Sequence, residues 1–337
     1  MSNIKLTLQD TNILKGVAII LMIIHHLDAG SYDDICLIHN HGLISDFSKV
    51  SKVCVAIYVF LSGYGLMAQT QKKGSLSSIS GFYFHRFKKL YFNYWFIWLF
   101  FVPISYYCFG MTFEKVYHTC NIWHPLTDLL GLHSFFFIET NFNPVWWFYS
   151  CIILLYFLYP LLYVIKKYDP LFLILFSFTI TFLPISIPYV DLIRCYIVAF
   201  CLGMLFVPSD ELCLLHELHD FRRCIMMGGA FLSLLLFVIY RFSNDYPFLI
   251  DVLITITLVR IYTYWKMPET TKYVMGFLGK HSMNIFLIHT FIADFWFKNF
   301  VYASRNPFIA FIIIFAICIP LSMCLEYIKK YTIYRII

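Results

Sequence analysis

Apolar runs of about 17 to 25 residues recur along the chain between short polar connections. A helix of that length crosses a hydrocarbon layer roughly 30 Å thick. Ten such runs predict ten helices, near 13–30, 52–69, 90–109, 146–165, 170–188, 192–208, 224–241, 247–265, 279–300 and 307–328. Pro184 and Pro188 break one long run into two, because proline removes a helical donor and clashes with the preceding turn. The stretch DLLGLHSFFFI at 128–138 is too short to span and is expected to be re-entrant or interfacial. The pattern therefore predicts an all-α fold, a polytopic membrane helix bundle with about ten spans. No repeat, linker or low-complexity tract divides it, so residues 1–337 read as one domain.

Charge placement gives the bundle a direction. With the N-terminus cytoplasmic, the inner connections carry 16 of the 25 Lys and Arg residues and the outer connections 7. Such a bias sets orientation, and with an even span count it puts both termini inside. The formal charge of +6 sits in short clusters between apolar runs, which is no footprint for nucleic acid. Only 13% of residues are charged, against about 25% in a soluble domain. The longest outer connection, 110–145, holds His118, Trp123, His124, His133 and Glu139, and is expected to be a lid or an acceptor surface.

Polar residues inside apolar runs are the candidate chemistry, because an ionisable group in a span is costly. The first span, LKGVAIILMIIHHLDAG, carries Lys15 and the pair His25–His26. Lys15 and His26 are eleven residues apart, so they fall within about 20° of one helix face and roughly 16 Å apart along it. His25 points about 100° away. The ninth span holds His289, with Ser282 and Asn284 one to two turns earlier and Lys280 near its inner end. Hydrogen bonding between helices would also account for these histidines.

Three further stretches have two readings each. In VFLSGYGL, 59–66, Ser62, Gly63 and Gly65 permit close helix approach, while Ser62 and Tyr64 offer hydroxyls. In GFYFHRFKKLYFNYW, 81–95, the basic residues either keep a loop inside or clamp phosphate, for which the arginine fork is suited. Trp146 and Trp147 fit an aromatic belt. HELHD at 216–220 crowds metal-ligand types but lacks the helical HExxH register, so no metal is expected.

Together these segments resemble the acyltransferase family 3 integral membrane proteins. The resemblance rests on Lys15 and His26 at the family's spacing, with Gly16 and Ala18 between them, and on Phe60, Ser62, Gly63 and Tyr64. It continues through Arg86, Lys89 and Tyr91, then Trp147, Phe148, Tyr156 and Pro160, and ends with Gly279, Lys280, Ser282 and His289. Lys15 and Lys89 stand where many members carry arginine. The resemblance implies transfer of an acyl group, most often acetyl, from an acyl-CoA co-substrate to a hydroxyl of a cell-surface polysaccharide or related envelope glycan. It implies a bacterial inner membrane, no bound cofactor, and the bilayer, donor and glycan as partners. His26 and His289 become the expected catalytic pair, and Lys15, Arg86 and Lys89 the donor-binding cations. Ser62, Tyr64 and Asn284 become substrate or oxyanion candidates. A proton-coupled transporter or flippase of a glycan or anionic solute is the competing class.

Overall fold

Helices occupy every one of the ten predicted stretches in the computed structural model, which describes residues 5–29, 43–76, 78–119, 121–136, 142–183, 188–208, 220–242 and 248–332. In chain order they are α1 (Leu8–Ala29), α2 (Leu43–Ser51), α3 (Cys54–Lys72), α4 (Ile79–Phe109), α5 (Phe113–Tyr117), α6 (Trp123–Leu129), α7 (Trp147–Tyr168), α8 (Pro170–Thr181), α9 (Pro188–Leu205), α10 (Asp220–Phe242), α11 (Phe248–Tyr264), α12 (Glu269–Thr290), α13 (Lys298–Val301) and α14 (Pro307–Tyr331). Five stretches, Leu8–Leu27, Phe47–Lys72, Ile79–Phe109, Pro144–Tyr168 and Pro307–Tyr331, are long and apolar enough to cross a membrane; the apolar helices at 170–181, 193–205 and 227–240 are shorter. Large apolar side chains such as Leu99, Phe157, Leu235 and Ile312 face outward. That surface suits lipid contact and would be unusual on a soluble protein.

Sequence signals set the helix ends. Thr7 and Asp10 cap α1 reciprocally: the Thr7 N–H donates to Asp10 Oδ2 at 2.7 Å, and the Asp10 N–H donates to Thr7 Oγ1 at 3.2 Å. Near the other end of α1, Ser48 of α2 donates to the carbonyls of Ile24 and His25 at 3.2 and 3.1 Å, which ties α2 to the last turns of α1. The fourth helix departs from expectation. It starts at Ile79, capped by Ser78, so the basic cluster is part of a 31-residue helix and not of a loop. The ninth predicted stretch departs too. Its α-helix begins at Glu269 and gives way after Thr290 to a π-helical turn, Phe291–Trp296. Such turns are concentrated at functional sites.

Glycine brings the central helices together. A Cβ on Gly16 would collide with the Met275 carbonyl, and one on Gly279 with the Asn12 carbonyl, so the α1 and α12 backbones touch there. Gly63 meets Phe200 and Gly203 meets Phe60 in the same way, joining α3 to α9. In lipid, where no hydrophobic force draws helices together, this close van der Waals contact supplies the association energy. α1 and α12 are parallel. From their contact near residues 14 and 277, each runs about twelve residues on to a histidine, His26 and His289, whose ring centroids lie 5.0 Å apart.

Candidate functional site

Five helices each turn one stripe inward, and the stripes enclose two cavities. α1 contributes Leu8, Asn12 and Lys15 to one and Met22, His25 and His26 to the other. α3 runs the opposite way, with Cys54 and Val55 beside the histidines and Ser62, Gly65 and Gln69 beside Lys15. These positions recur at three- and four-residue intervals, as a helix face requires. α4 adds Arg86, Lys89 and Asn93, α7 adds Tyr149, Ile152 and Tyr156, and α12 adds Gly279, Lys280 and Ser282.

The larger cavity, about 450 Å³, is cationic. Lys15, Arg86, Lys89 and Lys280 line it, and no carboxylate does among the described residues. Lys15 and Lys89 lie near enough to repel one another, so an anion entering between them relieves that repulsion. Arg86 hydrogen-bonds Gln69 across the cavity, which aims its guanidinium. The three expected donor-binding residues thus converge, although they lie on two helices far apart in sequence.

The smaller cavity, about 220 Å³, is lined by His25, His26, Lys52 and Cys54 together with apolar Met22, Val55, Val145 and Trp147. His289 backs onto His26. Its Nδ1 lies 3.2 Å from the Ile285 carbonyl and 3.0 Å from the Phe286 carbonyl. Carbonyls only accept, so Nδ1 carries the hydrogen and Nε2 carries the lone pair. That Nε2 is buried with no hydrogen-bond partner. His25 Nδ1 likewise faces a carbonyl, that of Ser48 at 3.1 Å, and must be protonated. His25 and His26 both reach the cavity, despite their divergence on an ideal helix.

The two cavities share three lining residues, Tyr58, Phe148 and Phe286. The Tyr58 ring lies 6.3 Å from that of Phe148, and the Phe148 ring 5.4 Å from that of Phe286. Tyr58 donates to the Lys15 carbonyl at 3.3 Å and also reaches Ser282. Sequence reasoning missed Tyr58. Its spacing with Ser62, Gly65 and Gln69 marks one helix face, but in a chain that is 20% aromatic a single tyrosine carries no signal.

Two expected site residues lie elsewhere. Tyr64, six residues beyond Tyr58, points to the far side of α3. It donates to the Leu6 carbonyl at 3.1 Å and packs on Phe206. Asn284 faces α14, where its Nδ2 donates to Glu326 at 2.9 Å and Ser322 at 3.1 Å, and its Oδ1 accepts from Lys329 Nζ at 2.6 Å. Neither lines either of these two cavities. Ser62 does, within reach of the Tyr156 hydroxyl.

The connection at 110–145 carries a second polar cluster. Four successive carbonyls, at the end of α6 and just beyond it, each accept from a neighbouring side chain. Tyr94 donates to Asp128 at 2.6 Å, Trp95 to Leu129 at 2.9 Å, Tyr91 to Leu130 at 2.9 Å and Ser150 to Gly131 at 2.6 Å. The Asp128 carboxyl is fully buried and accepts from Tyr117 at 2.7 Å and from the Phe142 N–H at 3.2 Å. Burial pushes its pKa up to about 6, partly opposed by those donors. His133, 3.8 Å away, is pushed down to about 4 by burial. This part of the connection forms a cap fastened to α4 and α7 by these bonds. Glu139 lies outside the described residues, as does all of HELHD except Asp220.

A family model described as an acyltransferase domain matches residues 9–327. No curated protein and no solved structure matches the chain.

Proposed function

The chain belongs to acyltransferase family 3, a family of membrane acyltransferases, and from that premise we propose that it moves an acetyl group from acetyl-CoA to a hydroxyl of an envelope glycan. The observation that carries this reading is the contact of the two cavities across one layer of rings. One cavity is cationic and suits a phosphorylated donor; the other presents the imidazole of His26. The donor's phosphates rest among Lys15, Arg86, Lys89 and Lys280, and its thioester reaches toward His26. The acceptor enters on the histidine side. Both termini are cytoplasmic in this reading, about ten helices span the bilayer, and the cationic cavity faces the cytosol of a bacterial inner membrane.

A sugar hydroxyl is a weak nucleophile and needs a base. His26 takes the hydroxyl proton as the oxygen attacks the thioester carbonyl. A C–O bond forms and the C–S bond breaks. The proton passes from His26 to the departing thiolate, which leaves as the free thiol of coenzyme A. The His289 Nε2 lone pair lies beside the imidazolium formed on the way and stabilises it. Tyr58, Ser62 and Ser282 are hydroxyls that line the path.

The test uses reconstituted protein, acetyl-CoA labelled in the acetyl group, and surface glycan from which esters have been removed by alkali. Label should enter the glycan. His26→Ala, present at normal levels in the membrane, should lower the rate by about 100-fold or more. Arg86→Ala should raise the KM for the donor with a smaller effect on kcat. Solute uptake without transfer of label would establish the transporter class instead, and full transfer by His26→Ala would remove the base assignment.

A further inference from the structure

The three rings shared by the cavities are built unequally. Tyr58 is tied to two helices, through the Lys15 carbonyl on α1 and Ser282 on α12. Phe148 and Phe286 have no polar group and are held by ring packing alone, with Phe148 between the other two. Phe148 is only half-buried, whereas Phe286 is 8% exposed. Tyr58 is therefore a fixed post, and Phe148 is the leaf that moves at least cost.

The proposed reaction needs a passage here, and the nucleotide end of the donor cannot use it. Its phosphates match the cations of the larger cavity, and moving them past three rings would cost their solvation. Only a slender arm ending in the acyl thioester can cross. The acyl group then shares about 220 Å³ with the acceptor's hydroxyl and the carbon that bears it. Met22, Val55 and Val145 line that space beside Lys52 and the two histidines, and its small volume suits a short acyl group.

We infer that Phe148, closing against Tyr58 and Phe286, sets the upper limit on the length of the acyl group transferred. The inference rests on the acyltransferase reading above. Extra methylenes must either hold the leaf open or compress the acceptor. In a packed pocket one methylene is worth about 1–3 kcal/mol, which is 10- to 200-fold in rate. Discrimination by Phe148 is a matter of volume and not of charge, so smaller side chains should relax it and larger ones tighten it.

The experiment compares acetyl-, butyryl- and hexanoyl-CoA as donors, with reconstituted protein and alkali-treated glycan, and reads the ratios of kcat/KM. Wild type should favour acetyl over hexanoyl by at least about tenfold. Phe148→Ala and the milder Phe148→Leu should each raise the hexanoyl-to-acetyl ratio, Phe148→Ala by about tenfold or more. Phe148→Trp should lower the butyryl-to-acetyl ratio. Phe101→Leu, which trims a buried ring outside both cavities, should leave the ratios unchanged. Acetyl transfer with ratios unmoved in Phe148→Ala and Phe148→Leu overturns the length limit and leaves the acyltransferase reading standing. Wild-type protein that transfers none of the three groups overturns both.

Discussion

A single nitrogen distinguishes the two central histidines. His289 spends its N–H on the backbone of its own helix, which leaves a lone pair buried beside His26. His26 lines the cavity and His289 does not, so His26 is the catalytic residue of the proposal and His289 positions and stabilises it. His289→Ala should lower kcat by up to about 100-fold, a part of what a positioned base supplies, with little change in KM. It should also shift the acid limb of the pH–rate profile. Glutamine places an acceptor oxygen near the position of Nε2, so His289→Gln should recover part of the loss and restore the acid limb. A merely structural role would leave that limb where it was. Lys15 and His26 were legible in the sequence because helical spacing alone puts them on one stripe. Tyr64 and Asn284 were not: residue type suggested them, but Tyr64 is turned to the far face of α3 and Asn284 is engaged by α14.

Helices place these residues through backbone contact at a few glycines, and glycine in a sequence does not announce its purpose. Gly63 is a packing residue, in line with the commoner reading of small residues in spans, whereas Gly65, two positions on, lines the cationic cavity with nothing near its missing Cβ. Gly16 and Gly279 fix α1 against α12 and so fix the spacing of the two histidines. The two kinds of glycine should respond differently. Gly16→Val or Gly279→Val drives a side chain into a facing backbone carbonyl and should sharply reduce folded protein, read as the yield of a monodisperse peak in detergent. Gly65→Leu should fold normally and fill the donor space, raising the donor KM. Equal yields from all three would show that the α1–α12 contact is not needed. The helix positions were legible because apolar length is a strong signal. The early start of α4 was not, since the basic residues that open it read equally well as a loop.

Across the whole molecule, the cap formed by residues 128–136 closes over α4 and α7 and depends on a buried carboxyl and a buried imidazole. Their titrations oppose one another. Asp128 has a folded pKa of about 6, above its ordinary 3.8, so the stability it contributes is present below about 3.8 and lost as pH rises through 6. His133 has a folded pKa of about 4, below its ordinary 6.5, so its contribution is present above 6.5 and lost as pH falls through 4. Between pH 4 and 6 the folded pair holds one proton, on Asp128, and the unfolded pair also holds about one, on His133. Wild-type thermal stability in detergent should therefore be nearly flat across that window. Removing either partner exposes the other. His133→Gln should become less stable as pH rises from 4 to 6, and Asp128→Asn less stable as pH falls from 6.5 to 4. Each slope should approach at most about 1.4 kcal/mol per pH unit. Tyr117→Phe keeps both groups but takes away a donor that favours the charged carboxylate, so it should push Asp128 higher, leave the profile between pH 4 and 6 nearly flat, and extend the loss of stability with rising pH to values above 6. Parallel profiles for all four proteins would mean that neither group changes its proton affinity on folding, and the cap would then be held by its carbonyl hydrogen bonds alone.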